Sequence, residues 1–321
     1  MLKRYFSKTN LCWIALAAVV FTVVTVLINA GLLGSYYQIT LYNICINIIL
    51  AVSLNLIIGI CGQFSLGHAG FMCIGAYSAA IMVKSMPNMG GFAIGIVIGL
   101  IISAIAALIV SIPTLRLRGD YLAIATLGFS EIIRIVVLNM EITNGAAGIT
   151  GIPQLTSWPL LFIVMVLSIM IVTNFGRSRQ GRACISIRED EIASEAMGVN
   201  TTKYKTLAFV IGAMLASVAG ALYACNFFVI QPDLFNFNKS IDILVMVVFG
   251  GMGSITGSLI AAIFIGILNT VLQSFSSIRM IIYGLALVGI MIFRPGGLLG
   301  TKEFTFSALF KRRKKKGGEK E

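Results

Sequence analysis

Few side chains in this 321-residue sequence have the type and spacing for chemistry. His68 is the only histidine, which excludes a multi-histidine metal site. It could serve as a proton relay, but within Ser65-Leu66-Gly67-His68-Ala69-Gly70 it is expected to bond backbone carbonyls freed by the glycines. The cysteines (Cys12, Cys45, Cys61, Cys73, Cys184, Cys225) show no CxxC spacing and read as small apolar residues, neither a disulfide framework nor a metal site. No GxxxxGK[ST] phosphate loop, GxSxG elbow or HExxH helix occurs, so the sequence nominates no catalytic residue, cofactor or metal. What remains is Glu131 with Arg134, three apart on one helical face. Each is costly alone in hydrocarbon and tolerable as a pair. They read as an intramembrane ion pair, structural or part of a gate. A carboxylate already paired with Arg134 is poorly placed to carry a coupling proton.

The elements that must position these residues are set by composition. Hydrophobic residues make up 58% of the chain and charged residues 11%, where soluble domains carry roughly 25% charged. With a mean hydropathy of +0.97, this is an all-α integral membrane protein, with room for about ten membrane segments of ~20 residues. Candidate spans are 11–33, 39–60, 64–83, 91–113, 120–139, 158–174, 207–230, 240–253, 255–275 and 279–293. The first is too long for a signal-peptide core and reads as a retained span. With both termini placed in the cytoplasm, every Lys and Arg falls inside except Lys84, Lys239, Arg134 and Arg279. Positive-inside topology therefore accounts for the net charge of +12 without nucleic acid. The chain divides into a transmembrane domain, 1–302, which includes the 175–206 loop, and a basic cytoplasmic tail, 303–321, of a composition that attracts anionic lipid.

Two stretches break the spans. Gly59 to Gly70 contains Gly62, Ser65, Gly67, His68 and Gly70; the second break contains Gly250, Gly251 and Gly253. Both fall at expected cytoplasmic turns. Irregular backbone at membrane depth is tolerated only where protein or a watery cavity covers it. The breaks suggest a degenerate internal repeat with a translocation pathway at its interface, or close packing through small residues. Asn43, Asn47, Ser53 and Asn55 recur along the second span, as interhelical hydrogen bonds or a polar lining.

The 175–206 island is long and polar, with Arg177, Arg179, Arg182, Arg188, Lys203 and Lys205. Its centre, Glu189 to Gly198, reads as a short amphipathic helix that could dock a soluble partner. The outer loop 140–157, rich in Gly, Thr and Asn, is expected to be a shaped loop or a mobile connector.

Five segments, GQFSLGHAGFMCIGAYSAA (62–80), LRLRGDYLAIATLGFSEIIRIV (115–136), TNGAAGITGIP (143–153), the 187–224 stretch and VFGGMGSITGSLIAA (248–262), together resemble the LivM-type permease of branched-chain amino acid ABC importers. The match runs from about residue 40 to 300. The resemblance implies a subunit that pairs with a second, homologous permease and two cytoplasmic ATPase subunits. An extracytoplasmic solute-binding protein would deliver hydrophobic amino acids. It also implies that Glu191–Val199 is the coupling segment, with Glu191, Glu195, Ala196 and Gly198 meeting the ATPase. Alternatives are a gradient-driven secondary transporter acting alone and a related permease for urea or short amides.

Overall fold

The computed structural model describes residues 8–31, 34–114 and 120–271, with isolated positions between 284 and 300. Most of the expected span 279–293, the basic tail and the loop arginines Arg116 and Arg118 lie outside the described residues. In chain order the helices are α1 (Lys8–Asn29), α2 (Ser35–Asn55), α3 (His68–Ser85), α4 (Met89–Thr114), α5 (Asp120–Asn139) and α6 (Trp158–Arg177). They continue as α7 (Arg179–Glu189), α8 (Glu191–Ala196), α9 (Thr201–Ala224), α10 (Phe237–Gly250) and α11 (Ile255–Val271). A wider π-helical turn, Leu56–Ile60, ends α2. Among the described residues, α2 with its π turn, α4, α5, α6 and α9 are long and apolar enough to cross a membrane.

The bundle sorts its helices by polarity, inverted relative to a water-soluble protein. Helix α4 is the most apolar span yet one of the least enclosed, with Ile94, Val97, Ile101, Ile105 and Ile109 exposed. In lipid there is no hydrophobic gain from hiding such residues, so they face the hydrocarbon. Its inner face is Gly91, Gly95, Gly99, Ser103 and Ala107, spaced four apart. This small stripe lets backbones approach: a methyl at Gly95 would overlap Ala79, and one at Gly75 or Gly220 would overlap the backbone of Ser217 or Met72. Helices α3, α4 and α9 thereby form one tightly packed layer. Helix α2, carrying the asparagines, is enclosed from Cys45 to its end at Asn55 by α6, α9, α10 and α11. Helix α1 is peripheral and docks on α6, where Trp158 Nε1 donates to Thr25 Oγ1 at 3.1 Å and its ring stacks on Phe21.

Several boundaries depart from the sequence reading. The seventh span is not 207–230 but 201–224. Asn200 caps it by accepting from Lys203 N at 3.0 Å, which draws the polar turn Thr201–Lys205 into the helix. Residues beyond Ala224 leave the helix for a two-residue strand, β2 (Val229–Ile230), antiparallel to β1 (Ile149–Thr150). The outer loop is therefore a shaped one, tied down by this pairing and by 3₁₀ turns, and the fold carries this small exception to all-α. Lys239, expected in an outer loop, lies in the first turn of α10. The polar island holds two helices, α7 and α8, where one was expected.

Candidate functional site

The two glycine-rich breaks meet. Asn55, 1% exposed near the end of α2, donates through Nδ2 to Ser254 O at 2.9 Å and accepts at Oδ1 from Gly253 N at 2.8 Å. One side chain thus satisfies Gly253 N–H, which the second break leaves without a helical partner, and adds a donor to Ser254 O, which also accepts from Ser258 N at 3.1 Å. The approach is close enough that a methyl at Gly59 would overlap the Gly253 backbone and Asn55 Oδ1. Gly253 itself sits at φ +95°, a conformation that a β-carbon disfavours.

The first break is non-helical from Gly62 to Gly67, so α3 begins inside the bundle at His68. His68 Nε2 lies 2.7 Å from Ser53 Oγ, which also donates to Leu50 O. The expected bonds to carbonyls freed by the glycines are thus replaced by a hydroxyl of α2. Histidine, fully buried, ties α3 to α2 instead. Nearby, Ala69 N donates to Ser240 Oγ at 3.2 Å and Lys239 Nζ to Asn47 Oδ1 at 3.2 Å, so the starts of α3 and α10 converge beside the middle of α2. Of the polar residues in the second span, Asn47, Ser53 and Asn55 all make interhelical hydrogen bonds.

The other break residues are also closed against protein. Ser65 is buried and accepts from Gly67 N at 3.4 Å. Leu66 N donates to Thr126 Oγ1 of α5, and Gly70 faces Ser130 of the same helix. Gly250 packs on Gly257, and Gly251 turns the chain at φ +111°. Where the two breaks meet, a cleft of about 450 Å³ opens, lined by Ile58, Gly59, Gly62, Phe64, Arg188, Glu189 and Met252.

Arg188 was missed as more than a topology-setting charge. Its Nη1 donates to Gly59 O at 2.5 Å, and its Nε and Nη2 both reach Glu189 Oε1. No sequence spacing signals this, because the two ends lie 129 residues apart.

Helices α7 and α8 form a compact unit around it. Ser178 caps α7 by accepting from Gly181 N, and Asp190 caps α8 by accepting from Ala193 N at 3.0 Å. Glu191 Oε1 receives Lys205 Nζ at 2.6 Å, and Glu195 Oε1 receives Thr201 Oγ1 at 3.1 Å, so α8 is fastened to the start of α9. Gly198 follows at φ +82° with open space around it and turns the chain toward Asn200. The opposite side is bare: Ile192 is 69% and Met197 84% exposed, beside exposed Ala193 and Ala196. Behind this unit, Cys184 and Cys61 are buried, and Cys184 Sγ donates to Tyr204 O at 3.6 Å. The interaction of the two thiols, with burial, raises Cys61, and the same interaction lowers Cys184.

In the C-terminal half of α5, Arg134 Nε donates to Glu131 Oε2 at 2.7 Å and Nη1 to Asp233 Oδ1 at 3.0 Å. The pair expected from spacing is thus part of a three-residue cluster. Asp233, 82% exposed, fastens the 3₁₀ turn Pro232–Phe235 to α5. Among the described residues no cluster of His, Cys, Asp and Glu could hold a metal ion.

Comparison with known proteins gives these features a context. A family model described as branched-chain amino acid transport system / permease component matches residues 36–293. The high-affinity branched-chain amino acid transport system permease proteins LivM of Salmonella typhimurium and Escherichia coli K12 are each 36% identical over 289 residues, covering 79% of this chain and 68% of theirs. The permease protein LivH of Escherichia coli K12 is 27% identical over 303 residues, covering 86% of this chain and 94% of its own. No solved structure matches.

Proposed function

The chain belongs to the family of branched-chain amino acid transport permease components, and from that premise we propose that it is one permease subunit of an ATP-driven importer for branched-chain amino acids. It is an integral membrane protein, and in this reading both termini and the α7–α8 unit face the cytoplasm. The second permease subunit is a homologue: the similarity of this chain to both LivM and LivH of one organism supports two related permeases in such a system. ATP hydrolysis resides on two separate cytoplasmic subunits, and a solute-binding protein delivers the substrate from outside.

The observation that carries this reading is the α7–α8 unit. A secondary transporter acting alone has no use for a short helix fastened to the bundle on one side and bare and apolar on the other. Ile192, Ala196 and Met197 give an ATPase cleft something to close on, while Glu195 is exposed at the rim to meet a basic partner residue. When the ATPases close, α8 is displaced. The Glu191–Lys205 ion pair and the Glu195–Thr201 bond pass that displacement to the start of α9. Because α9 packs along α3 and α4 through small residues, the layer moves as a body.

The test is purification of the gently solubilised chain with its bound proteins, followed by uptake in liposomes. Recovery of an ATPase and a second permease, with ATP-dependent leucine uptake lost in Glu195→Lys and Gly198→Trp but membrane insertion retained, is the expected result. Solute movement by this chain alone without ATP would overturn the reading in favour of a secondary transporter. ATP-driven uptake of urea and not leucine would move the substrate to short amides.

A further inference from the structure

Arg188 belongs to the cytoplasmic unit, yet its side chain ends inside the junction of the two helix breaks. The π turn widens the end of α2, and Gly59 lies in its last turn, where carbonyls lack helical donors. A guanidinium there meets both the free carbonyl and the negative end of the helix dipole. Its aliphatic part lies on Gly62, with Cγ 2.8 Å from where a β-carbon would stand, and Nη1 lies 3.0 Å from the corresponding point at Gly253. One side chain therefore touches Gly59 and Gly62 of the first break and Gly253 of the second. Glu189 takes two of its remaining donors and fixes its direction. Because α7 runs directly into α8 through Asp190, displacement of α8 must move Arg188.

We propose that Arg188 is the positioning residue that links the docking unit to the cytoplasmic mouth. It holds the Gly59–Gly253 junction shut in this conformation and is withdrawn when α7 and α8 move. The inference rests on the reading of α8 as an ATPase dock, and it adds a second, direct route to the gate beside the one through α9. A charged donor on a carbonyl is stronger than a neutral one, and Lys in its place reaches Gly59 O but cannot at the same time form the two-pronged contact with Glu189.

The experiment uses the full complex in liposomes, with leucine uptake and ATP hydrolysis measured together. Maleimide labelling of native Cys61, 1% exposed beside the junction, is followed in a Cys184→Ser background. In Arg188→Ala the complex still assembles and hydrolyses ATP, uptake per ATP falls about tenfold, and Cys61 labels about tenfold faster. Arg188→Lys recovers part of both, and Glu189→Gln shifts both in the same direction by less. Unchanged uptake per ATP with unchanged Cys61 labelling in Arg188→Ala overturns the proposal. So does loss of assembly in both Arg188→Ala and Arg188→Lys, which would make the residue a folding requirement. Failure of the importer reading is seen separately, as wild-type uptake that needs no ATPase, whereas Cys61 labelling reports the junction without any ATPase present.

Discussion

Replacing Asn55 with Ala should destabilise this protein more than any other single loss of a polar side chain in α2. The amide satisfies Gly253 N–H at 2.8 Å, which is half-buried, and adds a donor to buried Ser254 C=O at 2.9 Å. Removing it leaves Gly253 N–H unpaired, at about 1–3 kcal/mol, whereas Ser254 C=O keeps Ser258 N at 3.1 Å and Ser258 Oγ at 3.2 Å. Gly253 N–H cannot be resatisfied by a helix, since Gly253 belongs to the break between α10 and α11. The expected loss is therefore about 1–3 kcal/mol, above the ~0.6 kcal/mol average for interhelical hydrogen bonds in membranes. Asn55→Asp keeps the acceptor for Gly253 but not the donor for Ser254, and it adds a charge that burial penalises, so it rescues little. The assay is reversible unfolding in mixed detergent–SDS micelles, with Ser53→Ala as comparison. Ser53 shares its loss with His68, which keeps the option of shifting toward another partner. An Asn55→Ala chain that unfolds within about 0.5 kcal/mol of wild type would refute the argument that one side chain closes the second break.

Two further outcomes follow from the packing. Gly220→Leu should insert into the membrane but fail to hold its fold in mild detergent, because the added atoms overlap the Met72 carbonyl of α3; overpacking typically costs 1–3 kcal/mol, and intact-protein yield after size-exclusion chromatography reads it, with Gly198→Asn, whose surroundings are open, as the tolerated contrast. Copper(II)-phenanthroline should join Cys61 to Cys184, two copper(II) ions each accepting one electron as two thiol protons are released; the rate rises with pH as the Cys184 thiolate forms, and peptide mass spectrometry that finds no such disulfide in detergent-solubilised protein would contradict the contact between α7 and the π turn.

Much of the architecture follows from local composition. An apolar run of about 20 residues has one favourable place to go, the bilayer, so most span positions agree with the helices to within a few residues. Where they do not, a specific side chain decides, as Asn200 does in starting α9 at Thr201 and shifting it by six positions. Glu131 and Arg134 were also readable, because their spacing of three puts them on one helical face, whereas the addition of Asp233 was not. The four-residue stripe of small residues on α4 was visible as a pattern and went unread, being masked by the apolar residues between.

The sequence by itself determined that this chain lives in a membrane, which loops are basic, and where helices must break, since hydrophobicity, charge and glycine act through local free energies. Only the tertiary structure decided that the two breaks close on each other through Asn55, that His68 is held by Ser53, and that Arg188 reaches from the end of α7 to Gly59. Those contacts join residues far apart in the chain, and their energy comes from pairing polar groups that the membrane leaves no other partner. A one-dimensional pattern records that such groups exist and need satisfying; it does not record which of them are brought within 3 Å of each other.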